Sequence, residues 1–280
     1  EALVGVDAES VRLFGGIARI RPVAAMLGML LRLGARRRNW GGDRRDLRLN
    51  AADVALISEV AQANPHTVVV VIGGGTIVVE PWDSRVAAVL LAWYPGMEGG
   101  HAVADVLFGD AEPGGRLPMA IPRRAADLPI LDWDATAVDY GKSWGQRKLD
   151  RDGIAASYPL GFGLGYTTFT IDGLAVSPVV GERFDASVSV TNTGARPGRH
   201  VVQIYALRPA DTGRTVRHLV GFGCVAVDPG GSVTVDVPCS TRPLQRWDGT
   251  RLVLDPEAVR LEAGSFCGDP AAATAGLDLF

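Results

Sequence analysis

The chain has 280 residues, of which 47% are hydrophobic and 21% charged, with a formal net charge of −3. This predicts about two folded domains with sizeable cores, and the slightly acidic balance supplies no basic face for nucleic acid. The most apolar stretch, residues 67–79, is interrupted by Gly73-Gly74-Gly75 and is shorter than the ~20 apolar residues of a membrane-crossing helix, so neither nucleic acid nor membrane is an expected partner.

The first residue is Glu1, and residues 2–6 already read as a strand, so the chain is expected to open inside a domain, as a fragment. No signal-peptide pattern is visible, which leaves cytoplasm and secretion both open. The run Arg36-Arg37-Arg38, followed by Asp43, reads as a solvated loop. Asn50 is a helix N-cap with Asp53 three residues on. Val54, Ile57 and Ala61 then mark an amphipathic helix ending near Asn64-Pro65.

Residues 67–72 form a β-branched run expected of a strand buried on both faces. The three glycines that follow lead into Thr76-Ile77-Val78-Val79, which reads as a strand. A dinucleotide fingerprint needs a helix there, so no nucleotide cofactor is expected. Residues 88–93 read as a second buried strand, with Trp93 in the core, and residues 99–108 as a helix closed by Gly109. Strand, helix and strand in turn predict a three-layer α/β sandwich with a mainly parallel sheet. Residues 113–139 read as loop and crossing segment, and 140–170 show glycines and aromatics with little periodicity.

From Phe184 the period becomes two. Phe184, Ala186, Val188 and Val190 alternate with polar residues. Val202, Ile204 and Ala206 alternate with Gln203 and Tyr205, and Val233, Val235 and Val237 with Thr234 and Asp236. With a turn at Asp228-Pro229-Gly230-Gly231, this predicts an all-β sandwich. Cys224, Cys239 and Cys267 are odd in number and lack a C-x-x-C spacing, which predicts three free thiols. The turn at 228–231 would set Cys224 near Val235 rather than Cys239. The four histidines show no metal spacing, so no metal is expected. No Gly-x-Ser-x-Gly elbow is present.

The block Ala92-Trp93-Tyr94-Pro95-Gly96-Met97-Glu98-Gly99-Gly100, with 104–110 and Gly114-Gly115-Arg116-Leu117-Pro118 after it, resembles a stretch characteristic of family 3 glycoside hydrolases. Residues 42–49 upstream do so too. Residues 158–169 resemble the family's signature ahead of its last domain. Asn192-Thr193-Gly194, Leu219-Val220-Gly221-Phe222 and Asp228-Pro229-Gly230 match its fibronectin type III-like domain in order. The resemblance implies an α/β sandwich over 1–129, a linker over 130–172 and a fibronectin type III-like domain over 173–280. It also implies an exo-acting, retaining β-glycosidase, β-glucosidase-like, whose Asp nucleophile sits in an N-terminal (β/α)8 barrel absent from this sequence. A barrel encoded upstream and a β-linked glucoside or related oligosaccharide are the implied partners.

Two departures bear on activity. The family's acid/base Glu falls near Arg38-Asn39-Trp40-Gly41-Gly42-Asp43-Arg44, where Trp40 stands in its place. Residues 4–34, with Gly15-Gly16 and Arg21-Pro22, resemble the family domain's first strand, glycine loop and first helix, and the further helix and strand that the resemblance implies before this loop are missing near 34–36. The loss would uncover an apolar stripe at 22–33, including Met26, Met29, Leu30 and Leu33, and favour self-association. The isolated chain is therefore expected to be inactive. The candidate catalytic carboxylates are Glu98 and Asp43. Glu98 is either a site-edge carboxylate or the structural cap of the helix that follows. Asp43 and Arg44 form either a loop ion pair or a sugar contact, Trp40 either stacks on a sugar or packs the loop, and Trp144 is a substrate-side candidate. The alternative function is a non-catalytic carbohydrate-binding or protein-interaction module.

Overall fold

The structure, a computed structural model, describes the backbone of residues 3–7 and 11–14, and residues 46–130, 132, 135–138, 141–255 and 258–279. The missing helix and strand near 34–36, the stripe at 22–33, and Trp40, Asp43 and Arg44 lie outside the described residues. The chain divides into two compact units, Glu1–Val103 and Ala104–Phe280.

The first unit holds a four-stranded sheet in the order β2-β1-β3-β4. Its strands are β1 (Leu3–Asp7), β2 (Val11–Phe14), β3 (Val68–Ile72) and β4 (Ala88–Trp93). β3 pairs parallel with both β1 and β4, whereas β2 pairs antiparallel with β1. β2 follows β1 as a further strand within the stretch expected to hold strand, glycine loop and helix, while Gly15-Gly16 and the helix after them lie outside the described residues.

Flanked on both sides, β3 buries Val69, Val70 and Val71 to 2% exposure or less. β4 does not match the expected burial on both faces: Ala88 is exposed, and the other residues, Trp93 included, are only half-buried. Among the described residues β4 has one neighbouring strand, β3. Helix α1 (Ala51–Ala63) starts as expected. Asp53 N donates to Asn50 Oδ1 at 2.9 Å, and Asn50 Nδ2 donates to Asp53 Oδ2 at 2.6 Å. The helix buries Ile57 and Ala61 and stops at Asn64, whose backbone is extended. Residues 76–79 are not a strand. Only Val78 pairs, as a parallel bridge with Arg48, while Ile77, Val78 and Val79 are buried.

Helix α2 (Gly99–Phe108) contains the division between units. The stretch 140–170 holds a helix its pattern does not reveal, α3 (Gln146–Asp152). Only Leu149 of α3 is buried, so no apolar stripe exists to be read. Gln146 Nε2 donates to Asp150 Oδ1 at 2.9 Å, and Lys148 pairs with Asp152.

The rest is antiparallel, with β5 (Phe169–Val176), β6 (Arg183–Asn192), β7 (Gly198–Pro209), β8 (Thr215–Val227) and β9 (Ser232–Ser240). A small hairpin, β10 (Arg246–Trp247) with β11 (Leu252–Val253), precedes β12 (Val259–Gly264) and β13 (Ala273–Leu277). The large sheet runs β13-β12-β7-β8-β9-β6-β5. β8 and β9 share one pair, Gly221 with Cys239, and β13 packs alongside β5. The sheet is thus nearly closed around one core that includes Val188, Val190, Ile204 and Leu261.

β6 alternates as its sequence predicts. β7 does not: Gln203 and Tyr205, expected to face solvent, are buried. Residues 160–161 pack over this face. Gln203 Nε2 donates to Gly161 O at 3.0 Å, and Tyr205 OH donates to Gln203 Oε1 at 2.7 Å.

Candidate functional site at the strand ends of the first unit

Ligands of open α/β sheets sit outside the carboxyl ends of the strands. In the first unit, parallel β3 and β4 end side by side, and Gly73 N donates to Trp93 O at 3.2 Å across the gap. Trp93 has φ 55°, alone among the described non-glycine residues in the positive-φ region. Such a conformation costs on the order of 1–3 kcal/mol and is met most often at functional sites. It turns the chain so that the Tyr94 ring lies over Gly74, with Cε2 2.7 Å from where a Cβ would stand. Any larger residue at 74 would displace the ring. Tyr94 is 75% exposed and Met97 fully exposed.

Glu98 begins α2, its carbonyl accepting from Ala102 N at 3.0 Å. Its Oε2 lies 2.8 Å from His101 Nδ1, with the two side chains 80% and 87% exposed. An exposed pair of this kind adds little stability. Glu98 therefore starts the helix, holds His101 and still presents its carboxylate to solvent.

The described residues resume at Asp46, just after the predicted acid/base loop. Arg48 grips Asp46 through Nε at 2.9 Å and Nη2 at 2.6 Å. These bonds hold the Asp46 carboxyl at about 2. Val78 N donates to Leu47 O at 2.8 Å, which ties this end of the loop beside residue 78.

The structure thus brings Glu98 together with His101. Trp144, 62% exposed beside α3, belongs to the other unit. Tyr94 was not singled out from sequence, although an aromatic pair ahead of Pro95-Gly96 at a strand end is a signal that points to it. Among the described residues, no group of three His, Cys, Asp or Glu side chains is placed to hold a metal ion. No described helix is long and apolar enough to cross a membrane.

The family model for the glycosyl hydrolase family 3 C-terminal domain matches residues 29–166. That for the fibronectin type III-like domain matches residues 200–266. A β-glucosidase of Rhizobium radiobacter is 36% identical over 269 residues, covering 91% of this chain and 31% of the relative. An exo-α-(1→6)-L-arabinopyranosidase of Bifidobacterium longum is 37% identical over 213 residues, covering 74% and 28%. Among solved structures, a family 3 β-glucosidase of Bifidobacterium adolescentis superposes with a TM-score of 0.77 at 32% identity, covering 86% of this chain and 37% of that one. The chain spans about a third of the length of these relatives.

Proposed function

The chain belongs to glycoside hydrolase family 3 by its C-terminal and fibronectin type III-like domains, and we propose that it is the C-terminal part of an exo-acting β-glycosidase, β-glucosidase-like, hydrolysing O-glycosyl bonds in carbohydrate metabolism. The carrying observation is similarity to a β-glucosidase across 91% of the chain. The substrate class is a β-linked glucoside or related oligosaccharide.

The finer architecture we propose is a three-layer α/β sandwich over 1–129 with a mainly parallel sheet, a linker over 130–172 and a fibronectin type III-like domain over 173–280. Two parallel pairings out of three in the four-stranded sheet support it.

Retaining hydrolysis needs a carboxylate nucleophile and a carboxylic acid ~5–5.5 Å apart across the bond. In this proposal a (β/α)8 barrel supplies the nucleophile, and the 280 residues alone turn over no substrate. Trp40 occupies the acid/base position, with Asp43 and Arg44 touching sugar hydroxyls or bracing their loop. Glu98 is the remaining carboxylate candidate, at the strand-end ledge, and Trp144 the remaining aromatic one. General acid catalysis contributes about 10²–10⁴-fold, and covalent catalysis vanishes without its nucleophile.

The test is purified 1–280 with nitrophenyl β-glucoside and β-xyloside, beside an Asp43→Ala/Glu98→Ala double variant. No turnover in either is expected. Turnover in the parent that is lost in the double variant would place a complete active site in this chain and overturn the proposal of inactivity.

A further inference from the structure

The second unit carries a cleft of about 390 Å³ between α3 and the β7–β8 turn, lined by Leu149, Asp150, Gly153, Ile154, Arg214 and Arg217 among others. Its walls are tied together. Arg151 holds Asp211 with two bonds of 2.7 Å, and Thr212 Oγ1 donates to Arg151 O at 2.8 Å. Ala210 N donates to Arg214 O at 2.7 Å, closing the turn. The cleft is therefore preformed, which lowers the ordering cost of binding.

Its charges are unequally used. Arg217 Nε donates to Glu262 Oε2 at 2.7 Å, and Arg217 N donates to Asp150 Oδ2 at 3.0 Å. Asp150 and Glu262 are 8% and 10% exposed in their side chains, and burial pushes the Asp150 carboxyl up. Arg214 differs: its guanidinium lies over Gly153, the left-handed cap of α3. It makes no ion pair among the described residues.

We infer that this cleft binds a carboxylate-bearing sugar, a uronate, with Arg214 holding the carboxylate. A planar guanidinium is built for two-pronged pairing with a carboxylate. Ile154, half-buried, supplies apolar surface for the carbon face of a sugar ring, while Thr215, exposed, offers a hydroxyl partner for the ring hydroxyls. The inference is independent of the β-glucosidase reading, because it uses no residue of the strand-end ledge.

The test is saturation-transfer NMR on the full 280-residue chain with sodium glucuronate, glucose and sodium acetate in turn. Glucuronate is expected to show transfer that weakens in ~0.5 M salt, as screening requires. Affinity is expected to fall about tenfold or more in Arg214→Gln, the scale of a lost charge-assisted bond, and less in Arg214→Lys. Arg199→Gln, remote from the cleft, is expected to bind as the parent does. Absence of transfer, equal binding by Arg214→Gln, or acetate or glucose binding as tightly as glucuronate would each overturn the assignment.

Discussion

Gln203 and Gly161 meet across 42 residues of chain: the amide of a mid-strand glutamine donates to the glycine's carbonyl at 3.0 Å. Gln203 also donates to Ser265 O at 2.5 Å and accepts from Tyr205 OH. Gly161 has φ 83°, and a Cβ there would collide with the Gln203 side chain. Two independent reasons therefore require glycine. Gly161→Ala is expected to cost about 2 kcal/mol or more, and Gln203→Leu about 2–4 kcal/mol, because buried partners lose their bonds. Urea unfolding followed by circular dichroism checks both.

Asn192, fully buried, joins four neighbours. Its Oδ1 accepts from Thr167 Oγ1 at 2.7 Å and Gly194 N at 3.0 Å, and its Nδ2 donates to Arg196 O at 2.8 Å and Val227 O at 2.9 Å. Asn192→Ala is expected to destabilise by about 2–3 kcal/mol. Asn192→Asp, which keeps the acceptor but buries a charge, is expected to do no better. A lowered Tm in both is the readout.

Stability is expected to fall in mild acid. Burial holds the His200 imidazole down to about 4 from 6.5, with Arg116 adding to the effect and Asp269 opposing it. His200 stacks on Phe169 at 4.7 Å and lies 3.4 Å from Ser265 Oγ. Burial likewise holds His218 to about 4, helped by Arg147 and Arg208 and opposed by the Pro243 carbonyl. Both folded values lie below the unfolded one, so the neutral ring is the form that folding favours. The full stability is present above about pH 6.5 and is lost as pH falls towards 4. A shift of this size amounts to about 3 kcal/mol for His200. Urea midpoints should drop between pH 7 and 4.5, and His200→Phe should flatten part of that drop.

Native thiol chemistry is expected at one position. Cys224 is exposed, whereas Cys239 and Cys267 are buried, and all three are free. Burial pushes the Cys239 thiol up to about 12 and raises Cys267 as well. Thiolates are the reactive form. Titration with a disulfide reagent should find one fast group in native protein and three in denaturant. Opposite Cys239 stands Gly221, not Cys224.

Local signals were legible where one segment carried its own reasons. Asn50 and Asp53 close a helix start within four residues, and β6 alternates because a strand facing one core repeats every two. Glu98 could be placed at a helix start from its neighbours, and its partner His101 follows from the spacing of helical turns. The positive φ of Trp93 had no local signal, because a bulky residue rarely adopts it. Helix α3 was hidden because only one of its residues is buried.

By itself the sequence determined helix α1, strands β3 and β4, the change of period near Phe184, the turn at Asp228–Gly231 and the family resemblance. These rest on propensities and patterns spanning a dozen residues or fewer. Tertiary structure alone decided that β4 is half-buried, and that the second face of β7 is covered. It alone gathered Asp150, Arg217 and Glu262, which stand 67 and 45 residues apart. Burial is set by what packs against a residue, and those partners come from distant parts of the chain whose approach no local pattern encodes.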